Sequence, residues 1–314
     1  MKTSTATPRA DLYTRVTERV IADLEHGVRP WLKPWNAGHA AGRITLPLRH
    51  NGTPYRGINI LLLWGEAMTN GYASPLWMTF KQALALGAHV RQGEHGAMVV
   101  YADRFTRTET DADGNGVERE IPFLKAYTVF NVAQIEGLPA HYYARPEAKA
   151  DKLELIESAE GFCAATGAVI CHGGNLAYYA PGPDLIQLPV PEAFRDAESY
   201  AATKAHELTH WTKHPSRLDR DFGGKRFGDT GYAREELVAE LGAAFLCADL
   251  GITPEPREDH ASYLEYWLEL LREDKRAIFS AASHAQRAVD FLHSLSPRQA
   301  APLQPAADTA EGAP

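Results

Sequence analysis

Apolar residues near the start of the chain recur with the period of an α-helix. Tyr13, Val16, Val20, Ile21 and Leu24 fall on one face of 11–26, with Arg15, Glu18, Arg19, Asp23 and Glu25 on the other. Gly27 supplies a stop. Pro30-Trp31-Leu32-Lys33-Pro34-Trp35-Asn36 then predicts extended backbone, because each proline disfavours helical geometry in the residue before it. A second helix is predicted over 55–69, entered through Arg56-Gly57-Ile58-Asn59, and 75–86 reads as a strand turning into a short helix. Two strands follow, at 96–104 and 121–131. The polar, acidic stretch between them, 106–120, carries Asp113-Gly114-Asn115-Gly116 at its tip and predicts a hairpin with a solvated, dispensable loop.

Residues 139–152 have the composition of a linker, which places a domain boundary near 145. Beyond it the pattern predicts a helix at 152–167 and strands at 169–171, 176–179 and 185–189, the last two joined by the turn 180–184. Helical periodicity then covers 197–213, 232–250 and 257–293. The expected fold class is α+β in two domains: a small α+β domain at 8–140, and a mainly helical domain with a short sheet at 150–295. The Ala/Pro-rich tail 296–314 has no apolar periodicity and is expected to be disordered.

Charge changes this picture by dividing it. The 314 residues carry a formal net charge of −8, which excludes a uniformly basic coat for nucleic acid. Residues 1–140 nevertheless hold 15 Lys/Arg against 13 Asp/Glu, while 141–314 hold 17 against 27, so the acidity belongs to the second half. Within 29–100, seven cations face two carboxylates. The three cysteines (Cys163, Cys171 and Cys247) are too few and too widely spaced for a disulfide framework, and suit reduced thiols. The longest apolar run, 58–64, is interrupted by Asn59 and is too short to span a bilayer. No secretory signal opens the chain, so a cytoplasmic protein without a membrane partner is expected.

The strongest chemical signal is Ala205-His206-Glu207-Leu208-Thr209-His210-Trp211, an H-E-x-x-H match on a predicted helix. Positions i and i+4 share a face, so His206 and His210 can offer two imidazoles to one ion. Glu207 follows the first of them and suits the general base that takes a proton from a water the ion activates. Such five-residue matches also arise by chance, and a third donor separates a site from a coincidence. Tyr232-Ala233-Arg234-Glu235-Glu236-Leu237-Val238-Ala239-Glu240 supplies two candidates, since Glu236 and Glu240 lie one turn apart on an otherwise small, apolar face. The simplest assignment makes Glu236 the third ligand, with Glu240 accepting the N–H that fixes a histidine tautomer. The reverse assignment remains open. Glu235, one residue off this face, reads as a solvated charge, and Ala239, Gly242 and Ala243 allow two helices to approach closely. Two histidines and a carboxylate favour catalytic-type zinc, with manganese or another divalent ion also compatible. A short strand just upstream can receive an extended peptide by strand addition. Lys204, His214, Arg217 and Lys225 lie near the motif as anion-binding groups or plain surface cations, and His172 has no assignment.

In 29–100, aromatic residues alternate with cations, as a single-stranded nucleic-acid surface requires. Arg49, Arg56, Asn59, Lys81 and Arg91 are the candidate polar contacts, and Trp35 and Trp77 the candidate stacking rings. The competing reading is that the tryptophans fill a core.

Pro54-Tyr55-Arg56-Gly57-Ile58-Asn59, Trp77-Met78-Thr79-Phe80-Lys81-Gln82-Ala83, Gly87-Ala88-His89-Val90-Arg91-Gln92-Gly93-Glu94, Val99-Val100-Tyr101 and Phe130-Asn131-Val132-Ala133-Gln134, together with the two metal-helix motifs, span about 8–295. In these the chain resembles the ArdC-type antirestriction proteins of plasmids, related to the N-terminal part of conjugative TraC primases. The resemblance implies an N-terminal domain that binds single-stranded DNA, a zincin-like metallopeptidase domain, and protection of incoming plasmid DNA from host restriction. Double-stranded DNA is a further candidate partner. The Glu236–Glu240 run also resembles the third-ligand helix of gluzincins and ImmA-like peptidases, where the first glutamate ligates. The alternative functions are a metallopeptidase acting on one specific protein, with an N-terminal protein-recognition domain, and a DNA-binding module with a vestigial metal fold.

Overall fold

Asp11 starts the first helix by accepting the Thr14 amide at 2.7 Å, and α1 (Leu12–Glu25) buries Val16, Val20, Ile21 and Leu24 as its periodicity predicts. The computed structural model describes residues 11–26, 31, 45–110, 116–144, 152–223, 229–252 and 261–296. Trp35, Lys225, the hairpin tip 111–115, the expected boundary at 145 and the tail 297–314 lie outside them. After α1 come β1 (Leu48–Arg49), α2 (Ile58–Asn70), β2 (Leu76–Met78), α3 (Phe80–Ala85), β3 (His89–Val90), β4 (Ala97–Thr110), β5 (Gly116–Asn131) and β6 (Ile135–Glu136). The sheet runs β1-β2-β5-β4, parallel at β1–β2 and antiparallel elsewhere, while β3 and β6 pair separately. Thr79 and Gln82 form a reciprocal capping box that turns β2 into α3.

The hairpin departs from expectation. Pairing between β4 and β5 continues without a break from Ala97↔Val129 to Thr110↔Gly116, so 106–120 is largely ladder. The polarity of this segment carried no information about backbone pairing, which continues to Thr110↔Gly116.

The second half contains α4 (Lys152–Ala165), β7 (Val169–His172), β8 (Tyr178–Ala180), β9 (Leu185–Leu188), α5 (Ala197–Trp211), α6 (Thr230–Leu250), α7 (Ala261–Glu273) and α8 (Ala277–Leu295). Its sheet has the order β7-β9-β8, with β9 parallel to β7 and antiparallel to β8, which leaves β8 at an edge. The single helix expected over 257–293 is two. Asp274 accepts the Arg276 amide at 2.8 Å, giving the backbone an alternative to helical bonding at the break. Among the described residues no helix is long and apolar enough to cross a membrane. The cysteines are unpaired: Cys171 is exposed, and burial pushes Cys163 and Cys247 up to about 12.

The main core is shared between the two halves. Val16, Val20, Leu24, Trp31, Ile60, Leu61 and Trp64 belong to the same buried cluster as Leu208, Leu237, Phe245, Trp267, Ile278 and Leu292. Trp31 meets Trp267 edge-on at 5.9 Å, and Trp64 meets Phe245 at 6.0 Å. Polar contacts follow the same line: Thr17 Oγ1 donates to the Lys275 carbonyl at 2.7 Å and the Gly57 amide to Gln286 Oε1 at 3.0 Å. Two smaller clusters, around Trp77 and Val99 and around Met78 and Ile135, belong to the first half.

In the second half α5 and α6 pack at close range. A Cβ on Gly242 would lie 2.5 Å from Thr209 Cγ2 and 2.8 Å from its Oγ1. Thr209 is fully buried and its hydroxyl already donates to the Ala205 carbonyl at 2.8 Å, so it has nowhere to rotate. Gly242→Ala is therefore expected to destabilise the protein, with overpacking of roughly 1–3 kcal/mol outweighing about 1 kcal/mol regained in helix propensity. Thermal denaturation checks this, and in a Thr209→Ala background the loss should shrink.

Candidate functional site

Asp196 caps α5 by accepting the Ser199 amide at 2.7 Å, and the helix then carries His206 and His210 on one face. Their rings stand nearly perpendicular, at 80°, with the two Nε2 atoms 3.1 Å apart. From α6, Glu236 brings Oε2 to 3.6 Å from His206 Nε2 and Oε1 to 3.5 Å from His210 Nε2. One donor atom from each of the three residues lies within 4.8 Å of the others. Glu240 faces the opposite nitrogen, with Oε1 3.9 Å from His206 Nδ1. Glu236 and Glu240 thus differ in which side of the imidazole they meet.

Glu235 corrects the expectation of a solvated charge. It is buried, accepts His210 Nδ1–H at 2.9 Å, and receives Arg220 through Nε at 2.8 Å and Nη2 at 2.9 Å. Arg220 also donates to the Thr209 carbonyl at 2.9 Å and Thr212 Oγ1 at 3.0 Å. Adjacent glutamates on α6 therefore meet opposite edges of His210. The helix pattern of 232–250 contains Glu235, but its cation comes from the loop after α5, where no periodicity marks Arg220.

This donor set suits a small cation. A proton on His210 Nδ1 leaves a lone pair on Nε2, aimed at a second imidazole nitrogen and a carboxylate, and three electron-rich atoms at this range repel unless a positive charge lies among them. Without a metal, a proton takes that place. Burial opposes a charge on His210, yet Glu236 and Glu235 push it up to about 10. Burial likewise opposes the carboxylates, but His210 and Arg220 hold Glu235 down to about 2, and the histidines hold Glu236 well below its ordinary value.

A cleft of about 280 Å³ opens over the cluster, lined by Glu207, Lys213, Tyr178 and Tyr179 of β8, Tyr232 of α6 and Tyr263 of α7. Glu207 is 5% exposed. The Tyr232 and Tyr263 hydroxyls lie 3.2 Å apart, and the Tyr263 ring stacks on Trp267 at 5.9 Å. Tyr232 stands one turn before Glu236 and faces the cleft from the motif's own helix, whereas Tyr263 comes from a helix that no motif marks. The other cations near the motif have structural employment. Lys204 is buried on Glu160 at 2.6 Å and over the Tyr200 ring. Arg217 lies over the Trp211 ring at 3.8 Å and donates to Asp184 and Tyr179. His214 contacts Ser216 at 2.7 Å, and His172 contacts the Tyr200 hydroxyl at 2.8 Å.

Residues 157–284 match the family described as zincin-like metallopeptidase, and residues 10–130 the N-terminal domain of anti-restriction factor ArdC. The metal-free crystal structure of antirestriction ArdC from plasmid R388 aligns with a TM-score of 0.76 and 46% identity, covering 91% of this chain and 97% of that one. The chain belongs to the ArdC antirestriction family. The Mn(II)-bound structure of the R388 ArdC gives 0.74 and 43%, covering 92% and 100%. Uncharacterised protein y4eC of Sinorhizobium fredii is 44% identical over 93% of this chain and 95% of its own. A DNA primase TraC of Escherichia coli is 41% identical over 91% of this chain, which spans only 27% of that protein.

Two of the candidate DNA contacts in the family's N-terminal domain are corrected by their surroundings. Trp77 is 1% exposed and packs edge-on against Tyr72 at 5.7 Å, so it fills a core. Asn59 donates to the Val100 carbonyl and accepts the Val100 amide, both at 2.8 Å, which commits its side chain to joining α2 and β4. Arg56 is exposed but paired with Asp290, and Arg91 with Glu94 at 2.5 Å. Arg49 is exposed and lies over the Tyr55 ring at 5.4 Å, and Lys81 is exposed.

A divalent ion entering the cluster must displace the proton between His210 and Glu236. Metal affinity is therefore expected to rise with pH through the neutral range, and binding at pH 7 to release about one proton. Calorimetry in buffers of different ionisation enthalpy measures this. Glu235→Gln, which loses the acceptor that orients His210, should weaken metal binding roughly 10- to 100-fold.

Proposed function

We propose that this chain is an antirestriction protein that binds single-stranded DNA through residues 8–140 and holds one divalent ion at His206, His210 and Glu236. The convergence of those three donors, inside a chain that aligns with ArdC along almost its whole length, carries the reading. Zinc is the proposed ion, from the zincin-like match, and manganese is the alternative, from the Mn(II)-bound relative. The protein protects incoming plasmid DNA by occupying it.

A specific observation favours a second reading, that the cleft acts on peptide. β8 is an open edge, and two of its tyrosines line the cleft, so an extended chain could pair there by strand addition. A divalent ion would supply Lewis acidity toward a carbonyl and acidify water. Of this chain's own groups, Glu207 would accept the proton, Glu240 and Glu235 would hold the two imidazoles in their tautomers, and the Tyr232–Tyr263 hydroxyls would offer a donor at the cleft wall.

The two readings separate at Glu207. Glu207→Ala is expected to retain metal, as measured by elemental analysis, and to retain protection in conjugation into a restricting host. His206→Ala should lose the metal. Loss of protection with the metal kept would transfer the function to the cleft chemistry, and a wild type that binds no divalent ion would remove the site.

A further inference from the structure

On the β4–β5 ribbon two exposed tyrosine rings stand beside a half-buried phenylalanine. Tyr101 and Tyr127 are 43% and 41% exposed, and Phe123 is half-buried. In the β4–β5 register Tyr101 opposes Lys125, Val99 opposes Tyr127, and Asp103 opposes Phe123, so alternation puts all three rings on one face of the ribbon. Tyr101 is central, 6.2 Å from Phe123 and 6.4 Å from Tyr127. Val99 and Val129 on the same face belong to the small core with Tyr55 and Trp77. The exposed rings therefore continue outward from a packed, rigid base.

Charge identifies the occupant. Three described cations of the first half are spent on carboxylates: Arg19 on Glu66, Arg56 on Asp290 and Arg91 on Glu94. Two are placed on rings. Lys125 Nζ sits 4.8 Å from the Phe123 centroid, and the Arg49 guanidinium 5.4 Å from that of Tyr55. Neither has an ion pair among the described residues. An aromatic row with unneutralised cations beside it matches the chemistry of an unpaired strand, whose bases stack on rings while its phosphates meet the cations. A duplex keeps its bases stacked on each other and gains nothing from the rings.

We infer that Tyr101, Phe123 and Tyr127, with Lys125 beside the central ring and Arg49 on β1 of the same sheet, form the stacking platform for single-stranded DNA. This rests on the proposed DNA-binding function and replaces the buried Trp77 as the source of stacking. Anisotropy of a labelled oligothymidine, titrated with the full chain at several salt concentrations, tests it. Tyr101→Ala and Tyr127→Ala should each weaken binding about tenfold with the salt slope unchanged. Tyr101→Phe, which keeps the ring and drops the hydroxyl bonded to Asp103, should bind like wild type. Lys125→Ala should lower the slope by about 0.7. A wild type that ignores the oligonucleotide at low salt overturns the DNA reading and the platform together. A wild type that binds, with both alanine variants binding equally well, overturns the platform alone.

Discussion

The candidate site hangs on one steric fact, the absence of a side chain at residue 242. With Gly242 against Thr209, α6 lies close enough to α5 for the short side chain of Glu236 to reach both imidazoles. Thr209 is also a polar junction. Its carbonyl receives Arg220 and the Thr212 hydroxyl, at 2.9 and 2.6 Å, so the contact that sets the helix spacing also anchors the guanidinium that orients Glu235. Spacing and electrostatics thus meet at one residue, immediately before His210.

The electrostatics of this region run in one direction. Glu207, Glu235, Glu236 and Glu240 are each no more than 8% exposed, and among the described residues the fully buried cation facing them is Arg220. Burying carboxylates together is costly unless positive charge is supplied. Arg220 compensates Glu235, leaving Glu236, Glu240 and Glu207 around two imidazoles that can be neutral or protonated. Such a cluster binds protons when no metal is present and releases one when a metal enters. Such acidity suits a compact dication.

Most of the elements were legible in the chain, because amphipathic periodicity and capping residues act locally. The H-E-x-x-H helix, the second glutamate helix and the small residue between them could all be read from spacing. What could not be read depended on which distant group returns to meet a residue. Glu235 looked solvated because its partner, Arg220, comes from a loop. Trp77 looked available because it lies in a segment where rings alternate with cations, while Tyr72 and Val99 cover it in space. The extended hairpin was hidden by its own polarity, since the ladder is made by backbone groups that every residue type carries. The break between α7 and α8 rests on three residues, too few to interrupt a periodic pattern visibly.

The shared core constrains the order of assembly. The apolar face of α1 is covered by residues such as Trp267 and Ile278, and Thr17 bonds to the carbonyl of Lys275, 258 residues further on. During synthesis from the N-terminus these partners do not yet exist when α1 emerges. Its stripe of Val16, Val20 and Leu24 can meet Ile60, Leu61 and Trp64 earlier, but its cover is incomplete until nearly all of the second half has been made. Helix α1 thus precedes α7 and α8 in the chain yet is fully buried only by them, and part of its apolar face stays open to other contacts while the second half is made.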